Sequence, residues 1–361
     1  MSYSDRKEFY SRIEELRRRP LIAYVTSIRP GNSAEMCADA IPVIIEQVEA
    51  LHEKSDSIDL LIVSNGGDPI VSLRIISILR ERFKHIGVLV PYVAYSAATI
   101  LALGADEIVM HPYSNLGPVD PQLTVSRQSP LGPSANIQFG SEDIRNYIDF
   151  IKSDVGITNQ EQLVTAFNAL AAEVGSLSIG SSKRSQQLSL SLSEKMLKTH
   201  MSDEKKAAEM AMTLNTSYYH HGYAVNRTEA KTIGLNVIVP DKDLEKLLWS
   251  VWKDFDAEMK CSKPLDIAAE IFSHPEVRDQ MLKVPVISIP AGLPPEITQA
   301  LLQNLTIPMQ TTVPIEDYTM LASIESMELV RSIGVQRSTI CWRDGNMDFK
   351  FNTTSTSEGW K

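Results

Sequence analysis

The chain has 361 residues, 43% hydrophobic and 22% charged, which is ordinary globular composition and excludes a disordered, collagenous or disulfide-scaffold protein. Its 35 Lys and Arg against 45 Asp and Glu give a net charge of -10, so phosphate neutralisation cannot drive binding and no nucleic-acid partner is expected. Cys37, Cys261 and Cys341 lie far apart with no CxxC pair, which suggests neither a zinc site nor a disulfide framework and sets the expectation of a reducing, cytoplasmic compartment.

Residues 4–19 carry Phe9, Ile13 and Leu16 at helical spacing, and Pro20 stops that helix before a strand over 21–25. This first apolar run is too short for a secretory signal. Residues 34–54 read as a second amphipathic helix. A strong strand over 58–63 ends at Ser64-Asn65-Gly66-Gly67-Asp68-Pro69 and leads into a helix with Leu73, Ile76 and Leu79 at core spacing. The plan then repeats: strand 87–90, corner 92–96, helix 97–104, strand 107–110. Such alternation favours a parallel or mixed sheet covered by helices, an α/β fold. Residues 86–105 lack charged side chains over a length that would span a bilayer, but Pro91 and the Tyr95-Ser96 corner divide them into a buried strand and helix. Peripheral membrane association is the alternative reading of that run.

After Pro118 the pattern changes. Residues 126–140, rich in Ser, Pro, Gln and Gly, read as an exposed loop, and 142–198 as two or three helices broken near Gly156 and over 175–182. This helical insertion suits a handle for assembly. A helix with a glycine end feeds a strand over 227–239, and a helix over 241–259 closes a first domain, 1–260. The remainder, 261–361, reads as a smaller C-terminal α/β domain. Its expected strands are 284–289 and 309–314, its helices 295–303 and 317–333. A hairpin turning at Asp344-Gly345 joins 339–343 to 346–351, and the tail from 352 is expected to fray.

Two corners carry the chemistry. A serine between strand and helix, as Ser96 is, holds its hydroxyl at a helix N-terminus, where unpaired N–H groups stabilise an oxyanion; the plain alternative is a helix N-cap. Gly66-Gly67 lets the backbone approach a ligand closely, and no Walker lysine or complete GxGxxG accompanies it. The Gly-x-Ser-x-Gly elbow of α/β-hydrolases is absent around Ser96. In an alternating fold both corners fall on one edge of neighbouring strands.

Residues 58–122 resemble the Clp/crotonase-fold serine peptidases. The resemblance is carried by Leu61-Ile62-Val63-Ser64-Asn65-Gly66-Gly67, Ala94-Tyr95-Ser96-Ala97-Ala98-Thr99, Ala105-Asp106-Glu107-Ile108-Val109-Met110 and Leu116-Gly117-Pro118-Val119-Asp120-Pro121-Gln122. It is closest to the serine dehydrogenase proteinase branch, which is related to signal peptide peptidase A. It implies a core of repeated ββα units in a spiral, Ser96 as nucleophile, and an oxyanion hole from the N–H of Gly66 or Gly67 and of Ala97. The base is open. The Clp histidine would fall near Val119, and His111 comes too early. A lysine base, as in the signal peptide peptidase branch, offers Lys152 or Lys183. His220-His221, ahead of the Glu229-Ala230…Gly234-Leu235 segment, offers a third arrangement: Ser96, His221 and Asp120, with His220 as its alternative. The resemblance also implies a peptide or protein substrate, an acyl-enzyme, a homo-oligomer, and no metal or organic cofactor. A crotonase-like acyl-CoA enzyme and a catalytically silent scaffold are the rival readings.

Overall fold

The computed structural model describes residues 3–51, 55–127, 135–218, 220–281, 292–304, 315–343 and 349–361. In chain order, helix α1 (Tyr3–Arg17) precedes strand β1 (Leu21–Thr26) and a tight pair, β2 (Ile28–Arg29) and β3 (Asn32–Ser33). Then come α2 (Ala40–Ala50), β4 (Ser57–Val63), α3 (Pro69–Arg82), β5 (His85–Val90), β6 (Val93–Ala94), α4 (Ala97–Leu103), β7 (Glu107–Met110) and β8 (Asn115–Leu116). A hairpin of β9 (Gln122–Arg127) and β10 (Ala135–Gly140) leads to α5 (Ser141–Ser153), α6 (Gln160–Val174), α7 (Ser176–Lys198) and α8 (Glu204–Thr216). Next are β11 (Val225–Asn226), α9 (Arg227–Ile233), β12 (Val237–Ile238) and α10 (Lys242–Met259). Last are α11 (Ile267–Phe272), α12 (Pro275–Met281), α13 (Pro295–Asn304), β13 (Ile315–Glu325), β14 (Val330–Arg343) and β15 (Phe349–Glu358).

The main sheet runs β12-β7-β5-β4-β1-β13-β14-β15. Its first five strands are mutually parallel and the last three antiparallel. Parallel strands covered on both faces are apolar on both, which is why Leu60-Leu61-Ile62-Val63 is continuous rather than alternating. Leu60 and Ile62 pack with α2, α3 and α4, whereas Leu61 and Val63 pack against α1 and α10. A small second sheet, β11-β8-β6, lies beyond the strand ends, and Ser64 bridges Ala94 at its margin. Each unit is therefore a long strand, a short step into the second layer and a helix, the repeated ββα plan expected of the sequence. Residues 86–105 are β5, β6 and the wholly buried α4. Among the described residues no single helix is long and apolar enough to cross a membrane.

The structure corrects several expectations. Residues 34–39 are not helical: Met36 pairs with Gly67, and the helix starts at Ala40 with Pro42 in its first turn, where a missing N–H is harmless. Much of 126–140 belongs to the β9–β10 hairpin, because Leu123, Val125, Ile137 and Phe139 alternate with polar residues. Only Gly175 breaks the insertion there; α7 runs on through 176–182. The expected helix 317–333 is instead β13 and the start of β14. The hairpin partner of 339–343 pairs from Phe349 onward, and the tail is held, with Lys361 and Ser332 exchanging backbone hydrogen bonds at 3.0 Å. The expected strands 284–289 and 309–314 and the Asp344-Gly345 turn lie outside the described residues.

Past residue 260, β13 extends the main sheet by pairing antiparallel with β1 from Ala23↔Glu325 to Thr26↔Ala322. A buried ion cluster fastens this seam. The Arg6 guanidinium of α1 donates to both oxygens of Glu325, at 2.9 and 2.6 Å, and to Asp254 of α10 at 2.6 Å, while Tyr10 Oη donates to Glu325 at 2.8 Å.

Candidate active site

The Gly66-Gly67 loop follows β4 and is shaped by hydrogen bonds on both sides. Met36 N–H donates to the Gly66 carbonyl at 2.7 Å, and Asp68 N–H to the Met36 carbonyl at 2.9 Å. Both glycines have positive φ, 105° and 144°. A side chain on Gly67 would meet the Met36 backbone at 2.5 Å, and one on Gly66 would meet the Ser96 Cβ at 2.8 Å and the Ala97 nitrogen at 2.9 Å. Glycine is thus required by conformation and by space, and the bare loop brings the two corners into contact.

Ser96 itself is at φ 52°, ψ -117°, a conformation that costs roughly 1–3 kcal/mol for a non-glycine residue. Surrounding bonds hold it. The Thr99 hydroxyl donates to the Ala94 carbonyl at 2.7 Å and accepts the Gly117 N–H at 3.0 Å, and Ser72 Oγ donates to the Ala97 carbonyl at 2.6 Å. The Ser96 hydroxyl makes no capping bond, so the plain N-cap reading does not describe it. Ser96 lines a cavity of about 490 Å³ whose walls include Gly66, Gly67, Val119 and His221.

The N–H groups expected as oxyanion donors divide unequally. Gly66 N–H donates inward to Ser64 Oγ at 3.0 Å, which removes it from the expected set. Gly67 N–H and Ala97 N–H, the latter at the first position of α4, have no hydrogen-bond partner among the described residues. Helix geometry leaves such first-turn N–H groups free.

His221 is brought to Asp120 by chain anchoring. The end of α8 is fixed where Val119 N–H donates to the Leu214 carbonyl at 3.1 Å, and β11 pairs Val225 with Leu116. The loop between them is pinned at both ends to 116–119, which sets His221 Nδ1 2.9 Å from Asp120 Oδ1. A carboxylate only accepts, so Nδ1–H is the donor and Nε2 is the ring nitrogen left facing away from Asp120. Gln122 Nε2 donates to the other Asp120 oxygen at 2.9 Å.

The remaining candidates lie elsewhere. Lys152 is exposed on α5, and Lys183 donates to Gln186 at 3.2 Å beside a separate hollow. His220 is exposed and accepts the Gly222 N–H at 2.9 Å, outside the Ser96 cavity. His111 is buried and stacked on Trp249, ring centroids 5.0 Å apart; burial pulls its pKa down. Among the described residues no group of three His, Cys, Asp or Glu is placed to hold a metal ion. Ser64, Met36 and Gln122 shape the site without having been singled out. Ser64 and Gln122 sit in the Ser64-Asn65-Gly66-Gly67 and Asp120-Pro121-Gln122 runs, and the Ser64 bond to Gly66 is local, whereas the role of Met36 arises only from its pairing with Gly67.

Residues 44–164, 121 of 361, match the family described as ClpP-like SDH-type serine proteinase. The match includes Gly67, Ser96, Ala97 and Asp120 and ends before His221. Two uncharacterized proteins of Methanocaldococcus jannaschii are each 29% identical to the chain, over 186 and 192 residues. These stretches cover 51% and 53% of this chain and 54% and 56% of the relatives, so the chain spans about half the length of the curated relatives it matches. Among solved structures, a membrane-bound stomatin-specific protease aligns over 62% of this chain and 82% of its own at 14% identity and a TM-score of 0.36. A ClpP from Listeria monocytogenes aligns over 62% and 94% at 12% identity and a TM-score of 0.32.

Proposed function

We propose that the chain is a serine peptidase in which Ser96 attacks a peptide carbonyl, His221 is the base and Asp120 orients it. The observation that carries this reading is the shared cavity: among the described residues the hydroxyl of a serine at a strained corner and the N–H of Gly67 have no hydrogen-bond partner, and a histidine has its Nδ1 committed to a carboxylate. The family match supports a serine proteinase at that level.

In the first step Nε2 of His221 takes the Ser96 hydroxyl proton as Oγ bonds to the carbonyl carbon. The carbonyl oxygen becomes an oxyanion and accepts from Gly67 and Ala97 N–H, while Asp120 stabilises the imidazolium through Nδ1–H. The intermediate collapses as His221 returns that proton to the leaving amine, which yields an acyl-enzyme on Ser96. Water, deprotonated by the same imidazole, then releases the acid. The step requires Nε2 within about 3 Å of Oγ in the substrate complex.

Treatment with a fluorophosphonate and peptide mapping by mass spectrometry tests this reading. The expected result is an adduct on Ser96 that is lost in Ser96→Ala. Crotonase-like enolate chemistry would use the two N–H groups without a nucleophilic serine, so a protein left unmodified at Ser96 overturns the proposal.

A further inference from the structure

The Ser96 cavity does not end at His221. A second hollow of about 480 Å³ adjoins it, and the two share Gln122, Gln138 and His221 as walls. Among the described residues, the walls of this combined groove carry Glu35, Asp68, Asp120, Glu142 and Asp143 but no Lys or Arg.

Three of those carboxylates are occupied. Asp120 accepts from His221 and Gln122, Glu142 from Gln186 and Arg145, and Asp143 from the Gly140 N–H. The other two stand apart. Glu35 has no hydrogen bond or ion pair among the described residues, and Asp68 uses only Oδ1, which accepts the Ile70 N–H at 2.8 Å. Both are exposed. They also flank the oxyanion donor: a Cβ on Gly67 would lie 3.1 Å from the Glu35 Cβ, and Asp68 is the next residue. The field they make is felt locally, because the neighbouring Cys37 thiol is pushed up by burial and then by Asp39, Glu35 and Asp68.

We propose that Glu35 and Asp68 make the groove selective for peptides carrying Lys or Arg beside the scissile bond. The inference rests on the peptidase reading for its chemistry, and on charge alone for its binding. An oxyanion forming next to two uncompensated carboxylates is opposed by like charge; a cation on the substrate cancels that opposition and gains the ion pairs. Neutral and acidic peptides gain neither.

The test uses the full chain as Ser96→Ala, which binds without turnover, and a fluorescein-labelled peptide with two central lysines beside its norleucine counterpart. Fluorescence anisotropy is expected to show the lysyl peptide binding about tenfold tighter, the scale of one or two partly exposed ion pairs. The preference should fall toward unity when Glu35→Gln and Asp68→Asn are added; asparagine keeps the helix cap. It should survive Glu15→Gln with Glu49→Gln, which removes the same charge from residues lining neither hollow. Equal binding of the two peptides overturns the proposal, and so does an equal loss of preference in both double variants, which would assign it to net charge. Fluorophosphonate labelling of the wild type is read separately. A protein that prefers the lysyl peptide but forms no Ser96 adduct would retain this inference and lose the peptidase reading.

Discussion

At the scale of single residues, the site depends on which hydrogen bonds are already taken. Gly66 and Gly67 are adjacent and alike in sequence, yet only Gly67 keeps its N–H, because Ser64 Oγ claims the other. Asp120, itself held by Gln122, fixes the His221 ring with Nδ1–H as the donor. Asp120→Asn keeps the size of the side chain and removes that preference. It should lower the fluorophosphonate labelling rate of Ser96 by about 10⁴, the scale seen when a triad carboxylate becomes an amide. A rate within a factor of a few of wild type would show that Asp120 does not orient the base. The serine and the glycine pair were legible in the sequence because a strand-to-helix corner and a double glycine are local signals. The assignment within the pair was not, since it depends on the orientation of a side chain that the spacing does not encode.

At the scale of elements, local pattern succeeded where an element makes its own boundaries and failed where a distant strand makes them. Asp68 and Pro69 open α3, and Gly104 closes α4, as the residue types require. Leu321, Ile324 and Met327 recur at helical spacing, yet 315–325 is a strand, because the open edge of β1 supplies backbone partners about 300 residues away in sequence. The Arg6 cluster ties that strand to α1 and α10. Arg6→Ala would leave the carboxylate of Glu325 buried without its cation. The expected loss is about 3–5 kcal/mol in urea unfolding, with a smaller loss for Arg6→Met combined with Glu325→Leu. A loss below about 1 kcal/mol for Arg6→Ala would mean that the cluster is solvated or replaceable.

At the scale of the whole molecule, the parallel core followed from alternating strands and helices and the ββα repeat from the family resemblance of 58–122, while β13, β14 and β15 continue the main sheet beyond β1. Ile324 of β13 lies in the same core cluster as Ile22, Leu60 and Val88. Truncation after residue 262 would expose the β1 edge and uncover that cluster. The expected outcome is a chain with no cooperative thermal transition by circular dichroism; a truncated protein with a sharp melt would show that 1–262 folds alone. The helical character of α5–α7 follows from its composition and breaks. Its last helix proved longer than expected because Gly180, which has nothing within 4 Å of a would-be Cβ, sits in helix without a packing demand.

The measurement that bears most directly on the account compares fluorophosphonate adduct formation in wild type, His221→Ala, Lys152→Ala and Lys183→Ala by intact mass and peptide mapping. The account predicts a Ser96 adduct in wild type and in both lysine variants, and its loss in His221→Ala with the fold intact by circular dichroism. Undiminished labelling of His221→Ala, or loss confined to a lysine variant, would contradict it.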